Sequence, residues 1–246
     1  MTPTPPAAPR LAATMVLVRD DPYEVLLVRR HAKAVFASAL VFPGGVVDED
    51  DSSAEWMPLL GSGGELTGPE RALRIAGIRE TFEETGLLLA SRPDGSDVAQ
   101  PERTDARFLE VVQASGGLLM LGEVHPFGHW ITPEAAPRRF DTHFLLARAP
   151  RGQDAVPDGG ETVALEWASP ADAVLRAEGD EQSIMFPTLL NLMRLSESED
   201  TASAIFAARN RTPYTVLPVV EQRDDATRMI VIPAAAGYGV TEHPFP

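Results

Sequence analysis

The sequence predicts an α+β protein forming one large domain, and three observations carry that expectation. Stretches of strand composition alternate with stretches of helical periodicity from residue 11 to the end. Apolar residues make up 44% of the 246, enough to pack a sizeable core. One helical stretch, "RETFEETG" at 79–86, crowds three glutamates and one arginine into eight positions.

Residues 1–10 read as a flexible, proline-rich tail, and residues 11–246 as the domain. "LAATMVLVR" (11–19) and "YEVLLVRR" (23–30) have strand composition and flank "DDP", a turn signal, so a hairpin is expected. "LVFPGG" (40–45) reads as a short strand ending in a proline–glycine turn. Residues 46–66 mix acids, serines and glycines and read as a long loop. A helix begins near Thr67 to Glu70, where Pro69 suits a first turn, and Gly86 stops it. "LLLA" (87–90) reads as a strand, followed by a polar loop and a helix around 105–114. Three more strands are expected at "GHWIT" (128–132), "THFLLARA" (142–149) and "TVALEWA" (162–168). "SPADAVLRAE" (169–178), "FPTLLNLMRL" (186–195) and "EDTASAIFAAR" (199–209) read as helices. "YTVLPVV" (214–220) and "RMIVIP" (228–233) then close a C-terminal extension, from about 183, as a late pair of strands.

Charge and residue usage narrow the function classes. A net charge of −15 and a pI near 4.7 argue against a nucleic-acid partner and favour attraction of divalent cations. With no cysteine there is no disulfide frame, no thiolate nucleophile and no cysteine-ligated zinc. "MTPTPPAAPR" has neither the basic nor the apolar region of a signal peptide, and no run of about 18 apolar residues could span a membrane. A cytoplasmic protein with no membrane partner is expected.

On a helix at about 100° per residue, Glu80, Glu83 and Glu84 fall on one face, opposite Ile75, Ile78 and Phe82. Glu80 and Glu84 are like charges one turn apart, an arrangement that costs a few tenths of a kcal/mol unless a cation sits between them. Arg79-Glu80-x-x-Glu83-Glu84-x-Gly86 after "FPGG" resembles the Nudix hydrolase signature, which matches without a gap from Arg79 to Leu87. The left half departs from it: about 20 extra residues separate Gly45 from Arg79. The family's middle glutamate has no direct counterpart, because counting forward from Gly45 lands on Asp51 and counting back from Arg79 lands on Arg71, with Glu70 the nearest acid. The interrupted box, with "VFPGGVVDEDDSSAEW" before it and "RRFDTHFLLA" and "LEWASP" after it, is similar to the subgroup typified by coenzyme A diphosphatases.

The resemblance implies a Nudix fold: an α/β/α sandwich around a mixed β-sheet, here with extra C-terminal helices and strands. It implies a small-molecule nucleotide diphosphate as substrate, most specifically coenzyme A or an acyl derivative, with ADP-ribose the alternative and a non-catalytic binding module the reading of another class. The cofactor implied is Mg²⁺ (or Mn²⁺), a hard ion that takes oxygen ligands. Glu80, Glu83 and Glu84 are its expected ligands, joined by the Gly44 and Gly45 backbone, and Arg79 orients the acids through charge-assisted hydrogen bonds.

A catalytic base from a later loop points to Glu161, or Asp158, in "PDGGET". Arg29, Arg30, Arg138 and Arg139 are the candidate phosphate-binding arginines, against the plainer reading of solvated side chains. Trp130 and Trp167 read as core. The five histidines show no metal-ligand spacing, and His125, His129 and His143 read as structural; Asp141 is a candidate to hold its loop together. The insert 46–66 is expected to be an excursion that leaves the helix register alone, free to line the pocket, to cap it or to face a second copy in a homodimer.

Overall fold

The computed structural model describes residues 7–31, 39–179, 183–223 and 227–245. β1 (Arg10–Arg19) pairs antiparallel with β2 (Glu24–Arg30), the hairpin that "DDP" predicts. β3 (Leu40–Val41) adds to β2 and β4 (Gly44–Val46) to β1, both antiparallel. Two 3₁₀ turns follow, at Glu49–Ser52 and Ala54–Leu59, then β5 (Leu60–Ser62) and α1 (Gly68–Thr85). Beyond α1 come β6 (Ala90–Ser91), α2 (Phe108–Ser115), β7 (Leu118–Met120), β8 (His125–Ile131), β9 (Phe140–Arg148) and β10 (Thr162–Ala168). The remainder is α3 (Pro170–Glu178), α4 (Phe186–Leu195), α5 (Thr201–Arg209), β11 (Thr215–Val216), β12 (Val219–Gln222), β13 (Arg228–Val231) and β14 (Glu242–Pro244).

The main sheet runs β10-β2-β1-β9-β8-β11, with β3 and β4 on its margin. It is mixed, since β1 lies parallel to β9 and β11 parallel to β8 while the other pairs are antiparallel. A parallel neighbour cannot be reached by a tight turn, so everything from β2 to β8 is the connection that returns the chain beside β1.

β1 is central, which explains why "MVLV" is apolar without alternation: both of its faces are buried. Met15 and Leu17 pack with Ile75, Ile78 and Phe82 of α1 and with Leu145. Val16 and Val18 face the other way, onto Leu190 and Leu192 of α4, Ala204 of α5, and Leu146. Side chains alternate along a strand, so one sheet separates two cores and the molecule is the expected α/β/α sandwich.

The ends of α1 follow from local chemistry. The Thr67 amide donates to the Glu70 carboxylate at 2.9 Å in a capping box. Gly86, at φ +76°, takes the left-handed position after the last turn and its amide donates to the Phe82 carbonyl.

Three expectations need correction. Leu87 and Leu88 are fully buried but unpaired, and the strand in this stretch is Ala90–Ser91; a run of four apolar residues does not distinguish strand from core-filling coil. The late strands do pair, β12 antiparallel with β13, but the 214–220 stretch splits, its first part forming β11 beside β8 in the main sheet, and β14 adds to β13 as a third strand of the separate sheet. The 46–66 segment is not an excursion either. Trp56 is 3% exposed, with its ring 5.7 Å from that of Phe108, and β5 pairs in parallel with β7. The insert is a wall of the core. No helix among the described residues is long and apolar enough to cross a membrane.

Candidate active site

α1 carries its acids into a partly closed site. The turn at β4 and the first insert turn fold over that face, so Glu84 is 4% exposed and Arg79 8%, while Glu83 remains open to solvent. The Gly44 amide donates to Glu84 Oε2 at 3.1 Å. A Cβ on Gly45 would meet the Glu80 carboxylate at 2.4 Å, so glycine lets that carboxylate lie against the turn, and a larger residue would push it aside.

Arg79 organises the cluster. Its Nε donates to Asp51 Oδ1 and its Nη2 to Asp51 Oδ2, each at 2.9 Å. The same Nη2 donates to the Val46 carbonyl at 2.9 Å, and Nη1 reaches Glu80 Oε1 at 2.8 Å and Glu83 Oε2 at 3.1 Å. Burial works against the guanidinium charge, but the Asp51 hydrogen bonds and the surrounding carboxylates outweigh it and hold its pKa above the ordinary value.

Asp51 thus answers the question left by the split box. Its carboxylate is almost fully buried and also accepts the Asp48 amide at 2.8 Å. It faces the arginine and lies six residues after Gly45, the count that the signature gives its middle acid, and the extra residues lie between it and α1. Glu70, the acid nearest in sequence, serves the helix cap instead. The counting itself was the available signal; aspartate in place of glutamate hid it.

The electrostatics suit a cation. Burial pushes the Glu80 carboxyl up to about 7; Arg79 opposes the rise, and the neighbouring Glu83 and Glu161 charges add to it. Glu83, though half exposed, is raised as well, chiefly by the partial desolvation of its carboxylate, against the pull of Arg79. These are carboxylates held together while their ionised forms are disfavoured, an all-oxygen donor set that fits a hard divalent ion.

The remaining predicted residues divide. Glu161 is exposed at the start of β10, with its carbonyl accepting the His31 amide, and its charge is felt at Glu80. Asp158 is a loop residue: its carboxylate accepts the amides of Gly160, Glu161 and Thr162. Arg30 pairs through its backbone with Thr162. Arg29 lies opposite Leu40 on the face of Leu27, which is the α4 side of the sheet and not the α1 side. Arg139 is 8% exposed and donates to the Thr132 and Ala7 carbonyls, clasping the start of the chain to the β8–β9 hairpin. Arg138 is exposed in that hairpin.

The histidines hold a feature that spacing alone misses. His129 and His143 face each other across β8 and β9 with rings stacked at 3.9 Å, and Asp141 Oδ1 lies 2.5 Å from His129 Nε2. Burial and the neighbouring His129 push the His143 imidazole down to about 4, against the pull of Asp141.

Comparison with known proteins places the chain in a family. The family model described as the NUDT19 Nudix domain matches residues 62–195, just over half of the chain. The acyl-coenzyme A diphosphatase NUDT19 of Gallus gallus is 30% identical over 230 residues, covering 70% of this chain and 61% of the relative. Its Homo sapiens counterpart is 29% identical over 225 residues, covering 70% and 58%. The chain therefore spans about three fifths of the length of these curated relatives. A crystal structure of a Nudix hydrolase from Alicyclobacillus acidocaldarius superposes with a TM-score of 0.65 at 26% identity, covering 81% of this chain and 96% of that one.

Proposed function

The chain belongs to the Nudix hydrolase family, and on that premise we propose that it hydrolyses the diphosphate of coenzyme A or an acyl-coenzyme A, giving 3′,5′-ADP and a 4′-phosphopantetheine. The observation that carries the chemistry is the Arg79-centred cluster: two α1 carboxylates, Glu80 and Glu83, and the buried Asp51 held around one guanidinium, with Glu84 beside them held by the Gly44 amide of the glycine turn. The substrate class rests on the named NUDT19 relatives.

Glu80, Glu83 and Glu84 would hold Mg²⁺ or Mn²⁺, with the Gly44–Gly45 backbone beside them. Held by these residues, such an ion would supply charge neutralisation at the diphosphate oxygens and a lowered pKa for the attacking water. Arg79 keeps the carboxylates aimed at one point while its own donors stay engaged with Asp51 and Val46. Glu161, exposed and within electrostatic reach of Glu80, would accept a proton from the water. Arg138, exposed in the β8–β9 hairpin, would supply positive charge for the 3′-phosphate that distinguishes coenzyme A from ADP-ribose; the Arg30 side chain lies outside the described residues and stays a candidate on its sequence position alone, and Arg139 and Arg29 have other surroundings. A cytoplasmic setting is inferred with this reading.

The test is kcat/KM with Mg²⁺ for coenzyme A, dephospho-coenzyme A and ADP-ribose, in wild type and in Arg138→Ala and Arg30→Ala. An Arg–phosphate contact worth about 1.5–3 kcal/mol predicts one to two decades of preference for coenzyme A, narrowed in at least one variant. Better turnover of ADP-ribose by wild type overturns the substrate, and no turnover of any diphosphate overturns the enzyme reading.

A further inference from the structure

We propose that His129, Asp141 and His143 form a second metal-binding site, for a transition-metal dication of the Zn²⁺ or Co²⁺ type, separate from the carboxylate helix. Their donor atoms all lie within 4.8 Å of one another. His129 and His143 are direct partners across the β8–β9 ladder, and Asp141 sits two residues before His143, on the same face of β9. Three donors thus converge from two paired strands, a rigid base for coordination.

A His–Asp hydrogen bond alone does not account for the arrangement. His129 Nε2 already makes that contact with Asp141 Oδ1 at 2.5 Å. His143 Nε2 is aimed at the same oxygen from 3.7 Å, too far for a hydrogen bond, with its ring stacked on its neighbour's at 3.9 Å and 21°. Donors around a tetrahedral ion at about 2.0–2.2 Å lie about 3.4 Å apart, so the His143–Asp141 pair at 3.7 Å is already close to that spacing and the His129–Asp141 pair would open by about 1 Å. Two imidazoles and one carboxylate favour zinc, cobalt, nickel or iron over magnesium. The far ring nitrogen, His129 Nδ1, lies 2.8 Å from the Thr215 hydroxyl of β11, the outer partner that a metal-binding imidazole characteristically has. All three side chains are between one fifth and one third exposed, so water can complete the coordination.

The site is distinct from the carboxylates yet shares their face of the sheet. Gly45 pairs with Ala13, Ala13 with His143 and His143 with His129, in one row across four strands. At about 4.8 Å per strand His143 is roughly 10 Å from Gly45. The cluster whose donor atoms lie within 4.8 Å of one another includes none of the α1 carboxylates.

The experiment titrates chelator-stripped full-length protein with Zn²⁺ by calorimetry and with Co²⁺ by visible absorption, in excess Mg²⁺. A Glu83→Gln/Glu84→Gln background is run in parallel to disable the carboxylate helix. One equivalent of Zn²⁺ should bind in both backgrounds, with Co²⁺ absorption typical of nitrogen ligation. His143→Gln should weaken Zn²⁺ binding at least 100-fold, and Thr215→Val about tenfold, with far-UV circular dichroism checking the fold of each. Absence of the equivalent in the double variant, or its survival unchanged in His143→Gln, overturns the proposal, as does lowered thermal stability in the variants without any Zn²⁺-dependent stabilisation of wild type. None of these outcomes bears on diphosphate hydrolysis, so this site and the proposed activity fail separately.

Discussion

Replacing Asp51 with alanine tests the account of how the interrupted box works. The substitution removes two 2.9 Å hydrogen bonds to the Arg79 guanidinium and the acceptor for the Asp48 amide, in a setting where the Asp51 side chain is 1% exposed. Removing one member of a buried ion pair costs roughly 3–5 kcal/mol. Arg79 keeps Glu80, Glu83 and the Val46 carbonyl, so the lower end, about 3 kcal/mol, is expected. For a domain of this size that is a fall in Tm of about 6–12 °C. The freed guanidinium should also press harder on Glu80 and Glu83, weakening Mg²⁺ binding and turnover by about 10–100-fold, the usual effect of losing a partner that orients metal ligands. Asp51→Glu should recover part of both losses. The assays are thermal unfolding without metal, Mg²⁺ titration by calorimetry and turnover at saturating Mg²⁺. A double-mutant cycle with Arg79→Met should be strongly non-additive. If Asp51→Ala unfolds within 2 °C of wild type and binds Mg²⁺ within about twofold, or if the cycle is additive, the reasoning is refuted.

Glu83→Gln and Glu84→Gln should each cut turnover by about two to three orders of magnitude at saturating Mg²⁺ with the fold retained, since several kcal/mol of transition-state stabilisation depend on each charge; near-normal rates in both would remove the metal assignment. Trp56→Ala should destabilise by about 3–5 kcal/mol, because its ring is buried against Phe108. Deleting residues 52–66 should accordingly impair folding and not merely shift substrate preference, and a loop-like tolerance in denaturant melts would contradict the wall. His143 titrates near 4 in the folded protein against 6.5 unfolded, so the unfolded chain binds the extra proton between those values. The His143 contribution to metal-free stability is full above pH 6.5 and falls by roughly 2–3 kcal/mol toward pH 4, while Glu80, raised to about 7 from 4.5, gives the opposite slope over nearly the same range. The His143 contribution is therefore read as the difference between wild type and His143→Gln in urea melts, and a difference that does not change between pH 6.5 and 4 would show that the imidazole is not held neutral.

What the sequence by itself determined was local. Both ends of α1 were legible because a capping box and a left-handed glycine act within one turn. The acid stripe was legible because helical periodicity puts Glu80, Glu83 and Glu84 on one face. The central strand declared itself as an uninterrupted apolar run. What only the tertiary structure decided depends on register and on contacts between distant segments. Asp51 meets Arg79 across 28 residues because a 3₁₀ turn, invisible to periodicity, delivers it. Arg29 and Arg139 look like equivalent loop or strand-end cations until strand alternation turns one to the α4 side and burial engages the other with backbone carbonyls. His129, Asp141, His143 and Thr215 share no motif, since the order of β9, β8 and β11 in the sheet is set by which strands hydrogen-bond, and only that pairing brings four separated residues into one cluster.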